Sequence, residues 1–282
     1  MYIFKKITDL RLHLQKAKTN SKNIAFVPTM GALHNGHLSL IKIAKEKGDL
    51  TVCSIFVNPT QFNDSKDLDK YPRKDKEDIK MLIEAECDVL FLPTVEEVYP
   101  DGTTPQKAFD FGKLTAPMEG AHRPGHFEGM VQVVNRLLEI VEPDFIIMGQ
   151  KDYQQAAIVR QLLVQAHPDT RIVVAPIIRE KDGLAMSSRN VRLEPDEREE
   201  APTIYESLSA LKAIHKVMPL EKVKKEAIEK IEVSGTMKID YLEVADATTL
   251  QPIQNWEEAD EAVVCIAVHL GKVRLIDNIL IP

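Results

Sequence analysis

The stretch NIAFVPTMGALHNGHLSLIKIAKEKG, Asn23–Gly48, moves from an apolar run of strand length into a polar, glycine-bearing turn. Helical apolar spacing starts directly after His37. Two histidines three residues apart, His34 and His37, therefore sit where a strand gives way to a helix. A helix N-terminus attracts anions, and Gly31 and Gly36 let backbone approach closely, so the turn suits a phosphate. Three readings stand at this point: the pair grips a metal, grips a phosphate, or ties down the turn.

The same strand-then-helix pattern recurs outward from this stretch. Apolar runs end near Val27, at Val57 (DLTVCSIFV), at Leu92 (CDVLFL), at Gly149 (PDFIIMG) and near Pro176 (TRIVVAP). Helical spacing occupies His37–Lys47, Arg73–Glu86, Phe127–Val141 and Tyr153–Ala166. The alternation predicts an α/β fold, a Rossmann-like parallel sheet with helices on both faces. Such sheets bind ligands beyond the carboxyl ends of their strands. Three of those ends open into polar loops, PTMGALHNGH, NPTQF and GQKDYQQ, which the fold brings to one edge.

After REKDGLAMSSRNVRL the pattern changes. Charged helical stretches at about Glu194–Val217 and Glu221–Glu232 precede three β-like runs, IDYLEVAD, EAVVCIAVHL and KVRLIDN. This predicts residues 1–177 as the Rossmann-like domain and 178–282 as a smaller C-terminal α+β lid domain.

The chain has 282 residues, 44% hydrophobic and 28% charged, enough for a sizeable core. A net charge of −7 argues against a broad nucleic-acid surface, although a local cationic pocket remains compatible with it. Cys53, Cys87 and Cys265 form no CxxC pair and read as core thiols of a reducing compartment. The opening MYIFKKITDLRLHLQKAKTN is too interrupted by charge for a signal peptide, and no run approaches the roughly 18 apolar residues of a membrane span. The expectation is a cytoplasmic protein without nucleic-acid or membrane partners.

The loops carry the chemistry. A metal held by His34 and His37, with His122 and His126 of HRPGH, is disfavoured because neither pair matches H-E-x-x-H. Asn58 and Gln61 of NPTQF offer neutral donors and acceptors suited to hydroxyl groups, against a plain turn-making role. In GQKDYQQ, Gly149 permits backbone approach, Lys151 can meet phosphate and Asp152 can accept from ribose hydroxyls; a solvated helix start is the alternative. Asp-Gly in DGLAMSSRN marks a turn, after which Ser187, Ser188 and Arg189 offer hydroxyls and a guanidinium. KDKEDIK, Lys74–Lys80, contains carboxylates but reads as a solvated helix face.

H-x-G-H resembles the element shared by nucleotidyltransferases and class I aminoacyl-tRNA synthetases. PTMGALHNGH, SIFVNPTQF, YPR, RPGHF, PDFIIMGQKDYQQ and AMSSRN also occur in the order and approximate spacing of the pantothenate synthetase (pantoate–β-alanine ligase) family. The resemblance spans about Phe26 to Asn190. It implies ATP-dependent condensation of (R)-pantoate with β-alanine through pantoyl adenylate, releasing pyrophosphate and AMP. It further implies an ATP site of Met30, Gly31, Ala32, Leu33, His34, Asn35, Gly36, His37, Gly149, Gln150, Lys151, Asp152, Ile178, Met186, Ser187, Ser188 and Arg189. His34, His37 and Lys151 are its catalytic members, with His37 the proton donor. Gln61 and Gln155 would contact pantoate, Gln61 also β-alanine, with Asn58 and Tyr71 in the same wall.

Glu119 and Arg123 would lie near the reactants, in a cover that keeps water from the adenylate. Closure of the C-terminal domain would add to that exclusion. Glu128 stands where the family more often has arginine, and His122 is also unusual; neither receives a role. Asn35 replaces a frequent aspartate at a tolerant position. Magnesium is expected with ATP, without a dedicated protein ligand, and a homodimer is a family expectation. An adenylyltransferase would share H-x-G-H but leave NPTQF and KDYQQ unexplained. A regulatory module would bind ATP without turnover, and the acidic balance and small second domain disfavour a tRNA-charging enzyme.

Overall fold

The protein is described by a computed structural model over residues 1–62, 68, 71–104, 107–215 and 217–282. Its contacts divide it into two units. The first comprises Met1–Phe111, Arg123–Gln150 and Gln155–Pro176; the second comprises Gly112–His122, Lys151–Gln154 and Ile177–Pro282. Two short segments from the first half of the chain thus pack with the C-terminal residues.

The first unit holds strands β1 (Tyr2–Phe4), β2 (Ile24–Thr29), β3 (Leu50–Ile55), β4 (Val89–Phe91), β5 (Phe145–Gly149) and β6 (Arg171–Ala175). They form one parallel sheet in the order β1-β4-β3-β2-β5-β6. Alternate residues reach opposite faces. Ala25, Val27, Cys53, Leu90 and Ile147 join Leu40, Ile41 and Ala44 of helix Asn35–Lys47 and Leu82 of helix Asp75–Glu84 in one core. Their neighbours Ile24, Phe26, Val52 and Ile146 are fully buried on the other face. Burial on both faces explains why these strands read as nearly unbroken apolar runs.

The strand order reverses between β2 and β5, which makes their carboxyl ends the switch point of the sheet. PTMGALHNGH leaves β2 there, and GQKDYQQ leaves β5. Periodicity does not reveal β1 or helix Ile7–Thr19; β1 is three residues long and pairs with β4 across more than eighty residues of chain.

In the second unit, β7 (Met237–Asp246), β8 (Ala262–Leu270) and β9 (Val273–Ile281) form an antiparallel sheet in chain order. Val264, Ile266, Val268, Val273 and Leu275 face a core shared with Ile204, Leu208 and Leu211 of helix Thr203–Ile214 and Val223 and Ile231 of helix Leu220–Glu232. The single helix expected over about Glu194–Val217 is instead two, Pro195–Glu200 and Thr203–Ile214; Lys216 lies outside the described residues. Pro202 has no N–H to continue the first helix and caps the second. All three cysteines are buried thiols. Among the described residues no helix is long and apolar enough to cross a membrane.

Candidate active site

The loop after β2 is held by its own histidines. His34 is extended at the N-cap of helix Asn35–Lys47, and its Nδ1 accepts from Gly36 N–H at 3.1 Å. His37 Nδ1 accepts from His34 N–H at 3.3 Å, closing a reciprocal capping box. Because each Nδ1 is an acceptor, the ring proton of each neutral imidazole sits on Nε2. The ring centroids are 4.1 Å apart, so two Nε2–H donors stand side by side. The turn-tying and phosphate readings thus use opposite nitrogens of the same rings.

This changes one expectation. A helix start ordinarily offers backbone N–H groups to an anion, but here the Gly36 and His34 N–H groups are taken by imidazoles, and those of Ala32 and Leu33 by a carboxylate. The donors that suit a phosphate in this loop are therefore side-chain donors.

That carboxylate is Asp78. KDKEDIK reads as a solvated face, yet Asp78 is 1% exposed. Its Oδ2 accepts from Ala32 N–H and its Oδ1 from Leu33 N–H, each at 2.8 Å. Ala32 has φ +51° and Gly31 φ +79°, a left-handed pair that needs such an outside brace. A Cβ at Gly31 would also lie 3.0 Å from both Asp78 Oδ2 and Ile55 Cγ2. Burial pushes the Asp78 carboxyl up, and the two N–H bonds pull it back.

Between the ordinary carboxylate range and this raised value, the native state binds more protons than the unfolded one. Stability therefore falls as pH rises through that window. Asp78→Asn places an NH2 against one backbone N–H, and is expected to cost about 1–3 kcal/mol at neutral pH. Urea unfolding across the acid range should show the wild type gaining on the variant as pH falls. Equal stability at neutral pH would contradict the bracing role.

The wall after β3 is built from inside. Asn58 is 1% exposed. Its Nδ2 donates to Thr60 Oγ1 at 3.0 Å, Gln61 Oε1 at 3.3 Å and the Gly129 carbonyl at 3.0 Å. Its Oδ1 accepts from Thr60 N–H at 3.4 Å and from Tyr99 OH at 3.0 Å. Burial pushes the Tyr99 phenol up to about 12, so it remains a donor at neutral pH. The Asn58 amide is thus committed to shaping the turn that presents Gln61.

Gln61 Nε2 lies 3.0 Å from Met30 Sδ, which brings the loops of β2 and β3 together. Tyr71 is buried edge-on to Phe62, with centroids 5.7 Å apart. Behind the turn, His126 Nδ1–H donates to the Gln61 carbonyl at 3.1 Å, while Arg123 donates to His126 Nε2 at 3.1 Å. Arg123 and His126 of RPGHF therefore hold the wall through one proton-sharing chain.

Gly129 carries no motif in the sequence. A Cβ there would fall 2.2 Å from the Thr60 carbonyl oxygen and 2.7 Å from Gln61 N, so helix His126–Val141 can seat the turn only with glycine at this place. The available signal is a lone glycine in an apolar helical run. Gly149 is the converse: a Cβ would meet no protein atom within 4 Å, so glycine there serves exposure of the backbone rather than packing. Gln150 and Gln155 are half-buried in this unit.

The second unit carries the remaining expected residues. Lys151 is half-buried and Asp152 exposed, in the single turn Gln150–Asp152. Gln154 Nε2 donates to the Leu114 and Pro117 carbonyls, and its Oε1 accepts from Glu119 N–H, so the first glutamine of the pair is structural. Glu119 takes two bonds from Arg274, at 2.7 and 3.0 Å, and one from Tyr241 OH at 2.9 Å. Burial and the Glu119 charge push the Tyr241 phenol far up. His122, given no role, pairs through Nδ1 with Asp240 at 2.8 Å.

Ser187, Ser188 and Arg189 follow a hairpin closed by a bridge between Arg179 and Ala185. Met186 N–H donates to the Ile178 carbonyl at 3.0 Å, and Arg189 N–H to Ser187 Oγ at 3.2 Å.

Residues 2–280 match the family model described as pantoate-β-alanine ligase. Pantothenate synthetase of Porphyromonas gingivalis is 46% identical over 279 residues, covering 99% of both chains. That of Bacteroides fragilis is 45% identical over 282 residues, covering 99% of this chain and 98% of the relative. Among solved structures, pantothenate synthetase of Thermus thermophilus superposes with a TM-score of 0.92 at 38% identity, covering 99% of each chain. Pantoate-β-alanine ligase of Francisella tularensis, complexed with β,γ-ATP and β-alanine, gives a TM-score of 0.81 at 38% identity, covering 99% of this chain and 97% of that one.

Proposed function

The chain belongs to the pantoate–β-alanine ligase family, and from that premise we propose how its own residues carry out the ATP-dependent joining of pantoate and β-alanine into pantothenate. One observation carries the assignment of the first step: the paired Nδ1 caps that set two imidazole Nε2–H donors 4.1 Å apart, by ring centroids, at the sheet's switch point.

In that step a pantoate carboxylate oxygen attacks the α-phosphorus of ATP. The bond to the bridging oxygen breaks, and pyrophosphate leaves with the bonding pair. Nε2–H of His34 and His37 donate to phosphate oxygens as negative charge grows there, and His37 delivers a proton to the leaving group. Gln61 and Gln155 hold the pantoate hydroxyls, with Asn58 and Tyr71 fixing the wall behind. Met30 and the 31–36 backbone frame the nucleotide on one side, and Gly149 and Gln150 approach it through their backbone. Lys151 neutralises phosphate charge, Asp152 accepts from ribose, and Ser187, Ser188 and Arg189 bind the triphosphate, with Ile178 and Met186 as apolar cover. In the second step the β-alanine nitrogen attacks the acyl carbon, AMP departs and the nitrogen loses its proton.

Magnesium is proposed to arrive on the ATP phosphates and to offset their charge. Asp78 is not its ligand, since both carboxylate oxygens are occupied by backbone N–H groups. A cytoplasmic homodimer completes the proposal.

The test is product identification with ATP, magnesium and pantoate, with and without β-alanine. Pantoate alone should support exchange of labelled pyrophosphate into ATP, and β-alanine should release AMP and pantothenate. Release of ADP, or exchange that does not require pantoate, would reject the adenylate route.

A further inference from the structure

β9 has two working faces, and consecutive polar residues near its end point to opposite ones. Asp277 and Asn278 are 5% and 2% exposed, a buried polar pair in a strand that is otherwise largely apolar beyond Arg274. On one side, Asp277 receives Arg179 in a forked pair, Nη1 to Oδ2 at 2.6 Å and Nη2 to Oδ1 at 3.0 Å. Arg179 also donates to the Gly183 carbonyl at 3.1 Å, and its guanidinium lies 3.6 Å from the centroid of the Tyr205 ring. Gly183 has φ +96°, and a Cβ there would lie 2.6 Å from Tyr205 Cδ1, so the base of this hairpin admits little movement. The hairpin leads straight into Ser187, Ser188 and Arg189.

On the other side, Asn278 Nδ2 donates to the Lys151 carbonyl at 3.0 Å. Asn278 N–H donates to Asp277 Oδ1 at 2.8 Å, so the two side chains are joined through one peptide. Arg274, four residues earlier on the Asn278 face, holds Glu119. One face of β9 thus captures both early segments of the second unit, Gly112–His122 through Arg274 and Lys151–Gln154 through Asn278.

We propose that Asn278 is a positioning residue for Lys151, and that Asp277 ties the Ser187–Arg189 turn to the same strand. The two phosphate-handling segments of this unit then share one rigid anchor although 36 residues of sequence separate Lys151 from Ser187. A neutral amide fits this position because it donates to the carbonyl without adding a second charge beside Asp277. The inference rests on the proposed role of Lys151 in ATP handling.

The experiment is a double-mutant cycle on the full chain, read by pantoate-dependent pyrophosphate exchange. Asn278→Ala is expected to lower kcat and raise KM for ATP, a combined loss on the order of ten- to a hundredfold, with KM for pantoate unchanged. In a Lys151→Met background the same change should have almost no further effect, because the group it positions is gone. Losses that multiply independently would overturn the inference, as would a lowered Tm with kcat and KM intact. Unimpaired exchange in Lys151→Met alone would instead reject the role given to Lys151. If Asn278→Ala does not fold, Asn278→Asp supplies the cycle, since it keeps the shape and loses the donor. Its activity should recover as acid protonates the new carboxyl, whereas a flat profile parallel to wild type would count against positioning.

Discussion

Replacing Gly129 by alanine should destabilise the protein by about 1–3 kcal/mol, the usual range for overpacking. It should also slow ligation on the order of a hundredfold, because the group displaced presents Gln61. Helix propensity alone forecasts the opposite sign: alanine in a helix interior is favoured over glycine by roughly 0.8–1.0 kcal/mol. The contact geometry decides against propensity. The added carbon would sit 2.2 Å from the Thr60 carbonyl oxygen and 2.5 Å from its carbon, and backbone cannot rotate aside as a side-chain tip can. Either helix His126–Val141 retreats or the Pro59–Gln61 turn does. Both motions break the Asn58 bond to the Gly129 carbonyl and the His126 bond to the Gln61 carbonyl. The kinetic loss should fall mainly on KM for pantoate. A variant that melts higher than wild type and ligates normally would show that the turn accommodates the methyl group.

The contrast between Gly129 and Gly31 shows what local sequence can reveal. Gly31 lies between an apolar run and an amphipathic helix, so its neighbours alone mark a turn, and the two histidines complete a local capping box. The partners of Gly129 are about 70 residues upstream, and nothing in FEGMVQVV names them. Asp78 escapes sequence reading for the same reason: on its own helix it is one acidic residue among several, and only the sheet brings it beneath Ala32 and Leu33. Glu119 and Arg274 are separated by 155 positions, so membership of Gly112–His122 in the second unit has no local mark. Pro202 is different, because the break at Ala201–Pro202 is written in the chain and the surrounding charge pattern draws a continuous helix across it.

Asp78, Asn58, Arg123 and His126 share a character that motif reading does not separate from direct contact. Each spends its polar atoms on backbone of a neighbouring loop, or on the side chain that reaches it, and so fixes where another side chain points. Motif positions therefore mix groups that face substrate with groups that hold those in place. Burial with complete internal partners, as at Asn58 and Asp78, marks the second kind.

His37→Ala is expected to slow pantoate-dependent pyrophosphate exchange by roughly 10²–10⁴, the range for a lost general acid. The stability loss should be near 1 kcal/mol, within the ~0.5–2 kcal/mol of an N-cap deletion. The disparity follows from the two nitrogens. Nδ1 supports the fold through one bond to His34 N–H, and Nε2–H supports the reaction. His37→Gln separates the contributions: its amide can restore an acceptor for His34 N–H and a donor toward phosphate, but it cannot transfer a proton. Stability should return nearly to wild type while exchange recovers only in part, with the pH dependence of kcat flattened. Full recovery would mean that His37 acts by hydrogen bonding alone, and unchanged turnover in His37→Ala would remove it from the mechanism. His34→Ala provides the internal comparison. It loses the N-cap bond to Gly36 and one phosphate donor, yet retains the proton donor, so its rate loss should be the smaller for a comparable loss of stability.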